Sequence, residues 1–202
     1  MKEQDDIILE TFSRWAKSQN PVQSRVSVFE HIRDIPYALI PELIDPITGP
    51  QEMLVRNEGS CSPKHFLLGT MLTMLNIPVQ YATYPFLWHD LKLHYPDQLR
   101  TLVQNMPVEY HVACKAYIDN KWVLVDATWD RALKSGGFVV NEDWDGESDT
   151  FNAVNPLNEI LHKNVRKRMD YVQSKTAYMS DECKEVQYEF YREFSRWLAA
   201  LR

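Results

Sequence analysis

Positive charge is short in this chain. Its 22 lysines and arginines are outnumbered by 28 acidic residues, for a net charge of -6. General binders of nucleic acid or anionic membrane carry a basic face, so neither is expected as a partner. Cysteine is scarce as well. Cys61, Cys114 and Cys183 are odd in number and far apart, which excludes a disulfide framework and points to a reducing, cytoplasmic setting where a free thiolate can be kept. No apolar run approaches the ~20 residues that span a bilayer. The opening Met1-Lys2-Glu3-Gln4-Asp5-Asp6 lacks the basic and apolar regions of a secretory leader. There is no internal repeat, low-complexity tract or domain linker.

What is present is ordinary globular material. The chain has 202 residues, 45% hydrophobic and 25% charged, enough for one domain over 1–202 with a sizeable core. Apolar spacing predicts helices over 5–18, with Asp5 and Asp6 in the first turn, and over 24–33. The proline-rich stretch 36–50 reads as a packed loop. Ser62 followed by Pro63 reads as an N-cap and first helical residue, opening a helix with Leu67, Leu68, Met71, Leu72 and Leu75 on a broad apolar stripe. Asn76 and Pro78 end it.

A strand over 79–84 closed by Pro85 comes next, then a helix over 98–104. Strands over 109–118 and 121–127 are joined at Asp119-Asn120, a two-residue hairpin signal, since both types tolerate positive φ. A further strand is expected over 138–140, and helices over 156–172 and 181–201. The aromatic face of the last helix reads as core, with a dimer contact as second choice.

Three residues carry chemistry. Cys61 sits at a helix start, His111 in one strand and Asp126 in the next. With a two-residue turn, Ile118 faces Lys121, Ala113 faces Asp126 and His111 faces Thr128. Side chains alternate, so His111, Ala113, Asp126 and Thr128 share a face and His111 becomes a diagonal neighbour of Asp126. Asp126 would orient the imidazole, His111 would take the proton of Cys61, and the helix dipole would favour the thiolate. Backbone N–H groups at the helix start would receive the oxyanion. Each residue alone reads as packing or turn chemistry; together they are the parts of a thiol acyl-transfer site.

These residues resemble the transglutaminase-like superfamily. The resemblance runs through Gly59-Ser60-Cys61, Leu75-Asn76-Ile77-Pro78-Val79 and Tyr110-His111-Val112, and is most specific in Trp122-Val123-Leu124-Val125-Asp126-Ala127-Thr128-Trp129-Asp130. It covers about 50–130. It implies an α+β, papain-like core with the nucleophile helix packed on an antiparallel sheet, N-terminal helices, and a helical C-terminal extension over about 156–202. It also implies a Cys61-His111-Asp126 triad acting on amides. That chemistry requires no cofactor, and the sequence holds no ligand set to match the calcium regulation of the animal enzymes. Crosslinking members carry an aromatic residue directly after the nucleophile and an upstream oxyanion tryptophan. Here Ser62-Pro63 follows Cys61, and the upstream tryptophan is Trp15, far back in a helix. The reading is therefore a hydrolase or acyltransferase of peptidase or deamidase type, acting on a peptide or other amide as monomer or homodimer. A non-catalytic binding protein on the same fold, or an acyl-CoA-dependent amine acyltransferase, are the alternatives.

The remaining features have plain readings. Cys114 alternates away from His111 and belongs to the core, and Cys183 is structural. His65, one turn into the helix, could line the site but reads first as packing or exposed. Trp88-His89-Asp90 and His94 lack zinc-pair spacing and could cover the cleft. Glu142, Asp143, Asp145, Glu147 and Asp149 lack calcium-loop spacing and read as a solvated loop or a lip of the cleft. Lys163, Arg166, Lys167 and Arg168 read as a solvated basic turn.

Overall fold

The computed structural model describes residues 2–18 and 20–202. Its main elements are α1 (Lys2–Trp15), α2 (Pro21–Arg33), α3 (Thr48–Arg56), α4 (Cys61–Met74), β1 (Val79–Phe86), α5 (Asp97–Asn105), β2 (Glu109–Ile118), β3 (Lys121–Val125), β4 (Ile160–His162), α6 (Val165–Thr176) and α7 (Asp181–Ala200). The strands form one antiparallel sheet in the order β3-β2-β1-β4. The architecture is α+β, with the helix that opens at Cys61 laid on the sheet. The side chains of Asp5 and Asp6 lie outside the described residues.

The two faces of the sheet carry separate cores. On one, Leu67, Leu68, Met71 and Leu72 of α4 pack against Val112, Cys114 and Ala116 of β2 and Val123 and Val125 of β3. The approach is close. A Cβ on Gly69 would sit 2.2 Å from the Tyr81 hydroxyl oxygen, so α4 needs glycine where it crosses β1. On the other face, Ala82, Tyr84, Phe86, Ala113 and Leu124 meet Leu99 and Val103 of α5 and Phe190, Phe194 and Leu198 of α7. The aromatic face of α7 is thus core.

The hairpin has the expected register, from Ile118↔Lys121 to Cys114↔Val125. Asp119 and Asn120 both take positive φ, 48° and 63°, the turn geometry whose twist matches the flanking strands. β3 stops at Val125, so Asp126 lies one residue beyond the ladder.

Several expected boundaries move. α2 begins at Pro21, not 24, because the Asn20 side chain accepts the N–H groups of Val22 and Gln23. α3 forms where a loop was expected. The Asp45 side chain accepts the N–H groups of Ile47 and Thr48 and starts the turn, and Pro50 falls within the first turn, where its missing N–H would have no helical acceptor. The same reason lets α4 begin at Cys61, with Ser60 rather than Ser62 as N-cap and Pro63 as third helical residue.

β1 runs through Pro85 to Phe86. The Pro85 carbonyl accepts the Leu157 N–H on the side away from β2, and its ring nitrogen faces that same side, so no β1–β2 bond is lost. No strand forms over 138–140. The fourth strand is Ile160–His162, inside the expected helix over 156–172. It pairs with Tyr81–Thr83, and α6 starts only after Asn164, whose side chain caps Lys167.

Candidate active site

Cys61 is the first residue of α4, half-buried, with its N–H beyond the reach of helical acceptors. His111 comes from β2 and Asp126 follows β3; both are buried. The fold brings all three together. His111 Nε2 lies 2.8 Å from Asp126 Oδ2. Cys61 and His111 line the same small pocket, and the imidazole and the Val112 N–H both favour the thiolate.

The Asp126 carboxylate is saturated with donors. Oδ1 accepts from the Thr128 N–H at 3.1 Å and the Thr128 hydroxyl at 2.5 Å, and Oδ2 from the Ala153 N–H at 2.8 Å. An ionised carboxylate only accepts, so His111 Nε2 carries the proton towards it and Nδ1 is left for the thiol. Burial alone would raise the Asp126 pKa. The charge and hydrogen bond of His111, with His65 and Thr128, outweigh it and hold the carboxyl well below its usual range. Burial disfavours a charged His111, but Asp126 overrides this and lifts the ring to about 10. For Cys61, burial pushes the thiol up, while His111, the Val112 N–H and Arg168 together bring it below its ordinary value. Both shifts favour the thiolate and imidazolium forms over the neutral pair.

His65 was expected to pack or face solvent; it is wholly buried between the helix and the strand end. Its Nε2 accepts the Ala127 N–H at 3.0 Å, so that nitrogen is unprotonated, and Nδ1–H donates to the Cys61 carbonyl at 2.8 Å. Burial, opposed by Asp126, lowers its pKa to about 4 and keeps the ring neutral. Lys64 is also fully buried. Its Nζ donates to the carbonyls of Arg33 and Thr128 at 2.8 and 2.7 Å, tying α2, α4 and the strand end together.

Tyr37 forms a wall of the site. A bridge to Gly59 sets its backbone beside the start of α4. Its N–H donates to Asp130 Oδ2 at 2.8 Å, and its ring lies 4.5 Å from that of Trp129. Its hydroxyl adjoins the Cys61 N–H; burial and the nearby thiolate push its pKa well above the ordinary value, so it stays a donor. Trp129 and Asp130 thus position Tyr37. No periodic signal marks Tyr37 in the sequence.

Two cavities meet at Cys61. A pocket of about 40 Å³ is lined by His111, Tyr37, Trp88, Thr128 and Trp129. Trp88 is buried, and its indole N–H has no hydrogen-bond partner among the described residues. A cleft of about 330 Å³ opens on the other side, towards α6 and α7, and its walls include Glu109, Tyr110, Arg168 and Tyr191.

Other expectations change. The acidic segment does not line either cavity at Cys61. It braces Asp126 instead: Asn141 Nδ2 donates to the Asp126 carbonyl, and the Thr150 hydroxyl accepts its N–H. The basic turn is not all solvated, because Arg168 is buried. Of the Trp88–His94 segment, Trp88 lines the small pocket while His89 and His94 do not. Cys114 is buried, its thiol donating to the His65 carbonyl. Among the described residues no cluster of three or more His, Cys, Asp or Glu side chains is arranged to hold a metal ion, and no helix is long and apolar enough to cross a membrane.

No protein-family model matches the chain, and no curated protein sequence does either. Among solved structures it is similar to a candidate cysteine protease from Cytophaga hutchinsonii, with 19% identity and a TM-score of 0.44 over 79% of this chain and 50% of that one. The chain thus spans half that protein's length, and the likeness is too slight to transfer a function.

Proposed function

We propose that this protein is a cysteine-dependent amide hydrolase or acyltransferase of the transglutaminase-like, papain-like kind. The observation that carries the reading is the convergence of Cys61 and His111 on one pocket, with His111 bonded to Asp126 at 2.8 Å and the carboxylate saturated with donors. Cys61 is the nucleophile, His111 the general base and acid, and Asp126 the orienting anion.

The thiolate attacks an amide carbonyl. The C–N bond breaks, the amine leaves with the proton from His111, and a thioester remains on Cys61. Water, or an amine, then gives its proton to His111 and resolves the thioester. The Cys61 N–H and the Tyr37 hydroxyl, which shares the small pocket with Cys61 and His111, are the proposed oxyanion donors.

Alkylation of Cys61 by iodoacetamide as a function of pH tests this. Reaction is expected to remain fast well below the free thiol value of ~8.5, and to lose that acid-side reactivity in His111→Ala. A Cys61 that titrates like a free thiol would return the chain to the binding-protein reading.

A further inference from the structure

Arg168 is the one member of the basic turn that points inward. Lys163, Arg166 and Lys167 are exposed, whereas Arg168 is 2% exposed. A buried guanidinium normally meets a carboxylate, because an unpaired charge in the interior is costly. No carboxylate lies within 4.0 Å of Arg168 among the described residues. Its Nη2 donates to the Tyr110 carbonyl at 2.9 Å, its Nη1 has only the sulfur of Met169 at 3.5 Å, and its Nε has no partner. The plane lies 5.9 Å from the Phe66 ring, a contact that favours a cation without neutralising it. Burial lowers its pKa to about 10, which leaves it charged at neutral pH.

Arg168 lines the same 330 Å³ cleft as Cys61. Lys184 is there too, but it is paired with Asp181 at 2.8 Å. The rest of the wall is largely apolar, with Ile40, Ile44, Val172 and Met179. A thiolate at Cys61, on the same cleft, favours the Arg168 charge and is favoured by it. That charge disappears once the sulfur is acylated, so an acyl-enzyme leaves Arg168 facing only the Glu109 carboxyl, raised by burial to about 7, unless the substrate brings an anion.

We infer that this cleft reads a carboxylate on the substrate, held by Arg168 close to the scissile amide, with an apolar group against Ile40, Ile44, Val172 and Met179. This deepens the reading of Cys61 as nucleophile and rests on it. The carboxylate could be the α-carboxylate of a peptide end or an acidic side chain; the chemistry at Arg168 is the same.

The probes are iodoacetate and iodoacetamide. Both alkylate Cys61 by the same step, S–C formation with loss of iodide, and differ in carrying a carboxylate or a neutral amide. Rates are compared above the thiol's own titration in each variant, so that thiolate content is equal. Arg168→Met is expected to lower the iodoacetate-to-iodoacetamide ratio at least about tenfold, the equivalent of one charge-assisted hydrogen bond. Arg168→Lys, which keeps the charge but not the fork, should fall between. An unchanged ratio in both overturns the inference. The wild-type protein gives an independent arm. N-acetyl-leucine is expected to protect Cys61 from iodoacetamide, and N-acetyl-leucinamide is not. Protection by the α-amide of N-acetyl-glutamate as well would assign the carboxylate to side chains as well as chain ends. Equal protection by N-acetyl-leucinamide overturns the inference. An ordinary thiol pKa would instead defeat the catalytic reading, and it is seen in the iodoacetamide pH profile alone.

Discussion

His65 donates from Nδ1 to the carbonyl of Cys61 at 2.8 Å, and with its other nitrogen accepts the Ala127 N–H at 3.0 Å. One neutral ring therefore spans the first turn of α4 and the residue after Asp126. Its Nε2 also lies 3.5 Å from Asp126 Oδ1, where a proton would leave the Ala127 N–H without an acceptor. His65→Phe keeps the volume and orphans the Ala127 N–H. It should cost about 1–3 kcal/mol in urea unfolding and slow Cys61 alkylation at neutral pH, because the carboxylate and the thiol lose their common tie.

Asp126→Asn tests the source of the ion pair. Without the anion, His111 should fall from about 10 towards its ordinary ~6.5, and the thiol should rise. Alkylation at pH 6 should drop at least about tenfold, one pKa unit's worth of thiolate. The stability consequence has a definite sign. The Asp126 pKa is depressed in the fold, so its contribution is complete above the unfolded value of ~3.9 and is lost as pH falls through the folded one. Wild type should lose stability below about pH 4 more steeply than Asp126→Asn.

The parts of this site that could be read in the sequence are those set by short-range rules. Asp119-Asn120 specifies the turn, the turn specifies the register, and alternation then puts His111 and Asp126 on one face. Residues set by distant packing could not be read in this way. Tyr37 is placed by Asp130 and Trp129, more than ninety positions away. Arg168 looks like its basic neighbours until the cleft shows which side of α6 is inside. β4 has three residues, too few for periodicity to separate it from the helix that follows, and it exists because Tyr81–Thr83 offers it an edge.

Lys64 gives a stability prediction of the same sign as that of Asp126, in a higher pH window. Burial, opposed mainly by Asp130 and Asp34, lowers its pKa to about 7. Between about 7 and the ordinary ~10.4 the unfolded chain holds a proton that the fold does not, so this group's contribution to stability grows as pH rises. Lys64→Met removes that dependence. The stability of wild type relative to Lys64→Met, measured by urea unfolding from pH 7 to 10, should increase by on the order of a few kcal/mol. A constant difference would mean that the two carbonyl acceptors keep the ammonium charged.

Tyr37→Phe and Trp88→Phe separate the two side-chain donors at the small pocket. Tyr37 adjoins the Cys61 N–H, whereas Trp88 offers an unpartnered indole N–H from the same wall. Loss of the true oxyanion donor should lower kcat on an amide substrate about 10²–10³-fold and leave iodoacetamide alkylation, which forms no oxyanion, nearly unchanged. The expected order is a larger loss for Tyr37→Phe. The reverse order would give the role to a tryptophan that follows the nucleophile in the chain.

Glu109 should make the cleft's preference for anions depend on pH. Burial raises its carboxyl to about 7, although Gln187 Nε2 and the Tyr191 hydroxyl donate to Oε1 and partly offset that. The groups around it that titrate, Tyr37, Tyr110 and Tyr191, have raised pKa values and stay neutral near pH 7. Below about pH 7 the carboxyl is protonated and Arg168 sets the sign of the cleft. Above it a negative charge develops on the same wall and opposes an incoming carboxylate. The iodoacetate-to-iodoacetamide ratio at Cys61 should therefore fall between pH 6 and 8 in wild type. Glu109→Gln, which can still accept from Gln187 and Tyr191, should hold the ratio level across that range. A fall of equal size in Glu109→Gln would trace the pH dependence to the Cys61–His111 pair itself, because no other carboxyl lines the cleft among the described residues.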